Sequence, residues 1–189
     1  MNLNSTLEFH KFSQNIEYIK SHLNRLDFFF VNLKMKNLES WLEAYGKSHQ
    51  NKTNKLIHWI CVPAIFFSIL ALLSFIEIPL LERILPPEIS NFATVFIFFA
   101  LLFYIRLSVK MAIGIALFTF VCYKGIFILN TTDYKLWISL DIFIISWIIQ
   151  FIGHKIEGAK PSFFEDLKFL LIGPAWLLSF IYQKLGIKL

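Results

Sequence analysis

Two short stretches, about a hundred residues apart, carry residue types suited to holding a metal ion. The first reads Tyr45-Gly-Lys-Ser-His49-Gln-Asn51-Lys-Thr-Asn54-Lys-Leu-Ile-His58 and is followed by Cys61-Val62-Pro63. The second reads Gln150-Phe-Ile-Gly-His154-Lys-Ile-Glu157-Gly-Ala-Lys-Pro161. Tyr45 and His49, Asn54 and His58, and Gln150 and His154 are each four apart, so each pair shares a face if its segment is helical. Neutral imidazole suits iron, zinc or copper, and an open site also needs partners such as Asn54, Gln150 or Tyr45 to fix the ring tautomers. Glu157 is a candidate ligand, a candidate base behind the ligands, or a plain helix-end charge; the base ranks first. A bland reading stands beside this one, in which interfacial histidines are hydrogen-bonded structural residues of a non-catalytic scaffold or transport-related protein.

Whatever carries these side chains is built for lipid. Of 189 residues, 57% are hydrophobic and only 16% charged, and the mean hydropathy of +0.61 lies outside the range of ordinary soluble domains. The 22 phenylalanines and 5 tryptophans suit a lipid-facing surface or an acyl-chain pocket. The pattern predicts an all-α integral membrane bundle with about four spans, at Ile57–Ile76, Phe92–Ile105, Met111–Leu129 and Leu136–Gly153. A polar extension over residues 1–40 precedes a membrane domain over 41–189, and a cytosolic or interfacial helix is expected from Leu26 to Ala44. The run Phe169–Tyr182, interrupted by Gly173 and Pro174, is short for a crossing and reads as an interfacial or re-entrant helix. Lys and Arg concentrate before the first span, at Arg106 and Lys110, and at Lys155, Lys160 and Lys168, which puts both termini in the cytoplasm. All three histidines then fall at the inner ends of spans. Lys124 and Asp141 lie at similar depths in an expected antiparallel hairpin, where pairing would lower the cost of burying each.

Other classes fit less well. The net charge of +5 is spread over loops without the basic stripe of a nucleic-acid face, so anionic lipid headgroups are the expected counterions. Cys61 and Cys122 both sit in apolar runs and do not read as a disulfide framework. No apolar signal region occupies the first twenty residues. His10 and His22 have no partner motif and read as solvated. Transport is disfavoured by the absence of an internal repeat or paired broken helices. A di-iron hydroxylase needs more ligands than three histidines and one glutamate.

Taken together, His49-x-Asn51-x-x-Asn54-x-x-x-His58 with Val62-Pro63, and Gln150-Phe-Ile-Gly-His154-x-x-Glu157-Gly-x-x-Pro161, resemble the family of 2-hydroxy fatty acid dioxygenases. The similarity continues through Ser162-Phe-Phe-Glu-Asp-Leu to Ile172-Gly-Pro-Ala-Trp176 and spans roughly residues 41–180. Many members place the glutamate four residues after the histidine and have Asn-Pro where this chain has Asn51-Lys52, so it resembles a divergent branch. The resemblance implies a ferrous-iron enzyme (Fe2+) in the bacterial inner membrane, or the endoplasmic reticulum if eukaryotic, that uses molecular oxygen to shorten 2-hydroxy fatty acids by one carbon. It implies His49, His58 and His154 as iron ligands and Glu157, Asn54 and Gln150 as catalytic support. Lys52, Lys55, Lys155 or Lys160, with Tyr45, would meet the carboxylate head while the tail lies between Phe-rich helices.

Overall fold

The computed structural model describes residues 37–158 and 169–189. The polar extension as far as residue 36, with His10 and His22, and the segment containing Lys160 lie outside the described residues. From Leu38 onward the chain forms a compact helical unit. Its helices are α1 (Leu38–Lys47), α2 (Lys52–Leu73), α3 (Phe92–Leu107), α4 (Val109–Leu129), α5 (Lys135–Glu157) and α6 (Ile172–Lys184), with two short 3-10 turns between α2 and α3. Among the described residues there is no strand, only an isolated antiparallel bridge between Glu77 and Asn91. Of the helix expected over Leu26–Ala44, the part as far as residue 36 lies outside the described residues; Asn37 is not helical, and α1 runs from Leu38 to Lys47.

Three of these helices, α2, α4 and α5, are long and apolar enough to cross a membrane. Each is apolar nearly all round, which suits a helix surrounded partly by neighbours and partly by lipid. Phe99, Phe120, Val121 and Ile148 point outward, as large apolar side chains do where lipid replaces water. The expected span from Phe92 falls within α3, whose 16 residues reach about 24 Å at 1.5 Å per residue, short of ~30 Å of hydrocarbon. Asn91 caps it by accepting from the Thr94 N–H, and Ser108 both ends α3 and caps α4, accepting from the Met111 N–H.

Chain order does not predict the packing order. Helix α5 runs alongside α2 rather than alongside α4, the helix it follows. The expected Lys124–Asp141 pair is therefore not formed: Asp141 is exposed on α5, and the Lys124 ammonium lies 5.5 Å from the centre of the Phe120 ring. The hairpin assumption placed the two charges at one depth, but the helices present them to different surroundings.

Gly173 and Pro174 also act differently from expectation. They lie in the first turn of α6 rather than interrupting it, and a proline there forfeits no helical hydrogen bond. The lead-in is secured by the Phe169 carbonyl, which accepts from the Ile172 and Gly173 N–H groups. The buried Tyr104 hydroxyl of α3 donates to the Leu171 carbonyl. Residues Ile172 to Leu177 are buried, and α6 packs against α1, α2 and α4.

Candidate metal centre

The start of α2 and the end of α5 are tied together by one carboxylate. Glu157 Oε1 accepts from the Gln50 N–H at 2.7 Å, Oε2 accepts from the Asn51 N–H at 2.9 Å, and Oε2 also accepts from Asn54 Nδ2 at 3.0 Å. Those amides belong to the N-terminus of α2, where unpaired N–H groups and the helix dipole favour an anion. Asn51 completes the cap, its Oδ1 accepting from the Thr53 N–H at 2.8 Å. At the other side Gly158 adopts φ +79°, a left-handed conformation that ends α5 immediately after Glu157. Two motifs more than a hundred residues apart are thereby joined.

Above this clamp His49, His58 and His154 converge. All three are buried, at 2%, 0% and 4% exposure, and one ligand nitrogen from each lies within 4.8 Å of the others. The His49 and His58 rings are oriented from behind by backbone. His49 Nδ1 is 2.6 Å from the Tyr45 carbonyl, and His58 Nδ1 is 3.0 Å from the Asn54 carbonyl. A carbonyl only accepts, so each Nδ1 carries the proton and each neutral ring offers its Nε2 lone pair forward. Those two Nε2 atoms are 2.9 Å apart. Two lone pairs at that distance repel unless a cation lies between or beside them. A single proton satisfies two rings, but a third imidazole at the same place is what a metal ion uses. With metal–nitrogen bonds of ~2.1 Å, adjacent ligand atoms at a right angle stand ~3 Å apart. The residues present therefore fit a three-imidazole metal site, with the Nδ1–H···O=C support typical of histidine ligands.

The sequence-predicted partners among the described residues are nearby, though not always by the atoms expected. The rings of His49 and His58 meet the backbone carbonyls of Tyr45 and Asn54 rather than their side chains; Asn54 and His58 are one turn apart on α2, while His49 lies in the turn just past the end of α1. The Tyr45 ring instead stacks on His49, centroids 4.2 Å apart and 10° from parallel. Glu157 lies behind the histidines as a clamp, and both of its oxygens are taken by α2. Gln150 is 5% exposed and sits one turn before His154. Lys52 and Lys155 are exposed at this end of the bundle and Lys55 is half-buried.

Gly153 is a site residue that sequence reasoning passed over. A Cβ there would meet Asn54 Oδ1 at 2.4 Å, so a bare backbone is what lets α5 reach α2 at the level of the histidines. The available signal was a lone glycine inside an apolar helical run.

Glu157→Gln tests the clamp. The amide keeps the shape but loses the charge and can accept through one atom only. It should weaken metal binding about tenfold by loosening Asn54 behind His58, read by competition with a chelator.

A cavity of about 20 Å³ lies beside the triad, lined by Tyr45, Val62, Trp147, Gln150 and Gly173 among others. A larger one of about 470 Å³ lies between α3 and α4 toward Asn130. It is at the far end, where Lys135 at the start of α5 stands over the Phe75 ring just beyond α2, and so is separate from the histidines.

Comparisons with known proteins identify the family. The family described as Mpo1-like, 2-hydroxy-palmitic acid dioxygenase Mpo1-like, matches residues 35–185. A 2-hydroxy-palmitic acid dioxygenase, MPO1, from Saccharomyces cerevisiae is 29% identical over 153 residues, covering 79% of this chain and 82% of that one. No solved structure matches.

Proposed function

Because the chain belongs to the Mpo1-like family, we propose that it is an iron(II)-dependent membrane dioxygenase that shortens 2-hydroxy fatty acids by one carbon. The observation that carries this reading is the 2.9 Å approach of His49 Nε2 to His58 Nε2, with His154 beside them. In this reading His49, His58 and His154 hold the iron, which when bound supplies the coordination and electron-transfer chemistry that lets molecular oxygen react with a carbon substrate. A 2-hydroxy acid plus oxygen yields the shorter acid, carbon dioxide and water, so no separate reductant is needed.

The remaining work belongs to the chain. The Tyr45 and Asn54 carbonyls fix two ring tautomers, and the Glu157 clamp holds the two histidine-bearing helix ends in register. Burial of all three rings keeps bulk water from competing for the site. Lys52, Lys55 and Lys155 supply positive charge at this end of the bundle, which draws in an anionic carboxylate. With both termini in the cytoplasm, the site opens at the inner face of the membrane. The substrate's head then reaches it from the headgroup layer and the tail stays in hydrocarbon.

Elemental analysis of protein purified without a histidine tag tests the reading. It should approach one equivalent of iron, and anaerobic incubation should stop conversion of 2-hydroxypalmitate. Metal-free protein that still turns the acid over would sink it, as would iron-loaded protein inert toward every 2-hydroxy acid. A scaffold with structural histidines would carry no metal.

A further inference from the structure

Three residues that line the 20 Å³ cavity are each tied to a different histidine. Tyr45 stacks on His49, Val62 lies one turn beyond His58 on α2, and Gln150 lies one turn before His154 on α5. The cavity therefore sits one helical turn, about 6 Å, deeper in the bundle than the histidines. It has room for one water-sized group. Gln150 is 95% buried on the count of its 5% exposure, and its Oε1 has no hydrogen-bond partner among the described residues. A buried amide oxygen without a donor is costly, so the group that belongs there must offer an O–H or N–H. Molecular oxygen offers neither.

Val62 is shared with a second cavity of about 100 Å³, whose lining from α2, α4 and α6 includes Trp59, Phe118, Leu177, Leu178 and Ile181. Trp59 and Ile181 are exposed on the bundle's outer surface, so this space reaches the side of the protein that faces lipid. Its walls are apolar. The donor-seeking cavity and the apolar one thus share one lining side chain, Val62, one turn beyond His58.

We infer that Gln150 Oε1 accepts the 2-hydroxyl proton of the substrate and that the acyl tail leaves past Val62 between α2 and α6. This rests on the proposed function and adds the group that tells a 2-hydroxy acid from a plain fatty acid. A site with a buried acceptor rejects an analogue that lacks the donor, because the acceptor is then left unpaired.

Binding of 2-hydroxypalmitate and palmitate to metal-loaded protein in lipid nanodiscs, without oxygen, tests it. Wild type should prefer the hydroxy acid at least tenfold. Gln150→Leu should lose that preference while keeping its iron content and its affinity for palmitate. Val62→Trp should weaken both acids alike without changing their ratio. Retained preference in Gln150→Leu overturns the hydroxyl assignment, and so does an equal loss of both acids, which marks a merely structural residue. Undiminished binding in Val62→Trp overturns the tail route. Wild-type protein that takes up no iron points instead to failure of the underlying dioxygenase reading.

Discussion

His58→Ala should abolish both iron retention and turnover of 2-hydroxypalmitate. The ring is fully buried, its Nδ1 is committed to the Asn54 carbonyl, and its Nε2 is one of two nitrogens facing each other at 2.9 Å. Alanine removes a ligand and leaves His49 facing empty space, a larger loss than the ~10–100-fold caused by deleting a supporting hydrogen bond behind a ligand. Metal content by mass spectrometry and product formation by chromatography should fall together. A variant that stays folded by circular dichroism and keeps both would remove the basis for a metal centre. His154→Ala should behave the same way, since its ring stands 5.0 Å from that of His58, centroid to centroid, on a different helix.

Gly153→Ala should lower stability by about 1–3 kcal/mol, the usual cost of forcing an extra carbon into a packed interior. The sign is informative. In an open helix the same change would raise stability by about 1 kcal/mol, because alanine is the better helix former. Here the new Cβ would lie 2.4 Å from Asn54 Oδ1 and 3.3 Å from Ile57 Cγ2. Asn54 cannot retreat freely, because its Nδ2 holds Glu157 and its carbonyl orients His58. Loss of stability in thermal melts in detergent should therefore come with weaker metal binding. A stabilised variant with normal iron content would mean that α2 and α5 are not held this close.

Much of the architecture was open to reading because bilayer physics writes itself into sequence. Twenty-odd apolar residues in a row are a length and a solvent preference at once, and the expected spans Ile57–Ile76, Met111–Leu129 and Leu136–Gly153 overlap the helices Lys52–Leu73, Val109–Leu129 and Lys135–Glu157, the first of which starts five residues earlier and ends three earlier than expected. The spacings Asn54/His58 and Gln150/His154 each fall within one helix, since helical periodicity is local, whereas His49 lies past the end of α1 at Lys47 and meets Tyr45 through the turn that follows. The helix from Phe92 was legible as apolar, but its length left its crossing open. Pro174 was misleading: proline breaks a helix in its interior yet is at home in a first turn, and only the position of the helix start distinguishes the two.

The amino-acid sequence on its own determined the helices and their affinity for lipid, because each depends on neighbours within a few residues, and it offered His49, His58 and His154 as candidates. It did not determine which helices touch. Apolar helices of similar length carry nearly interchangeable surfaces, so the partnership of α5 with α2, the separation of Lys124 from Asp141, and the service of Glu157 as a clamp on a helix start 106 residues away emerged only from packing in three dimensions. Such choices turn on small steric facts at long range, such as the missing side chain at Gly153.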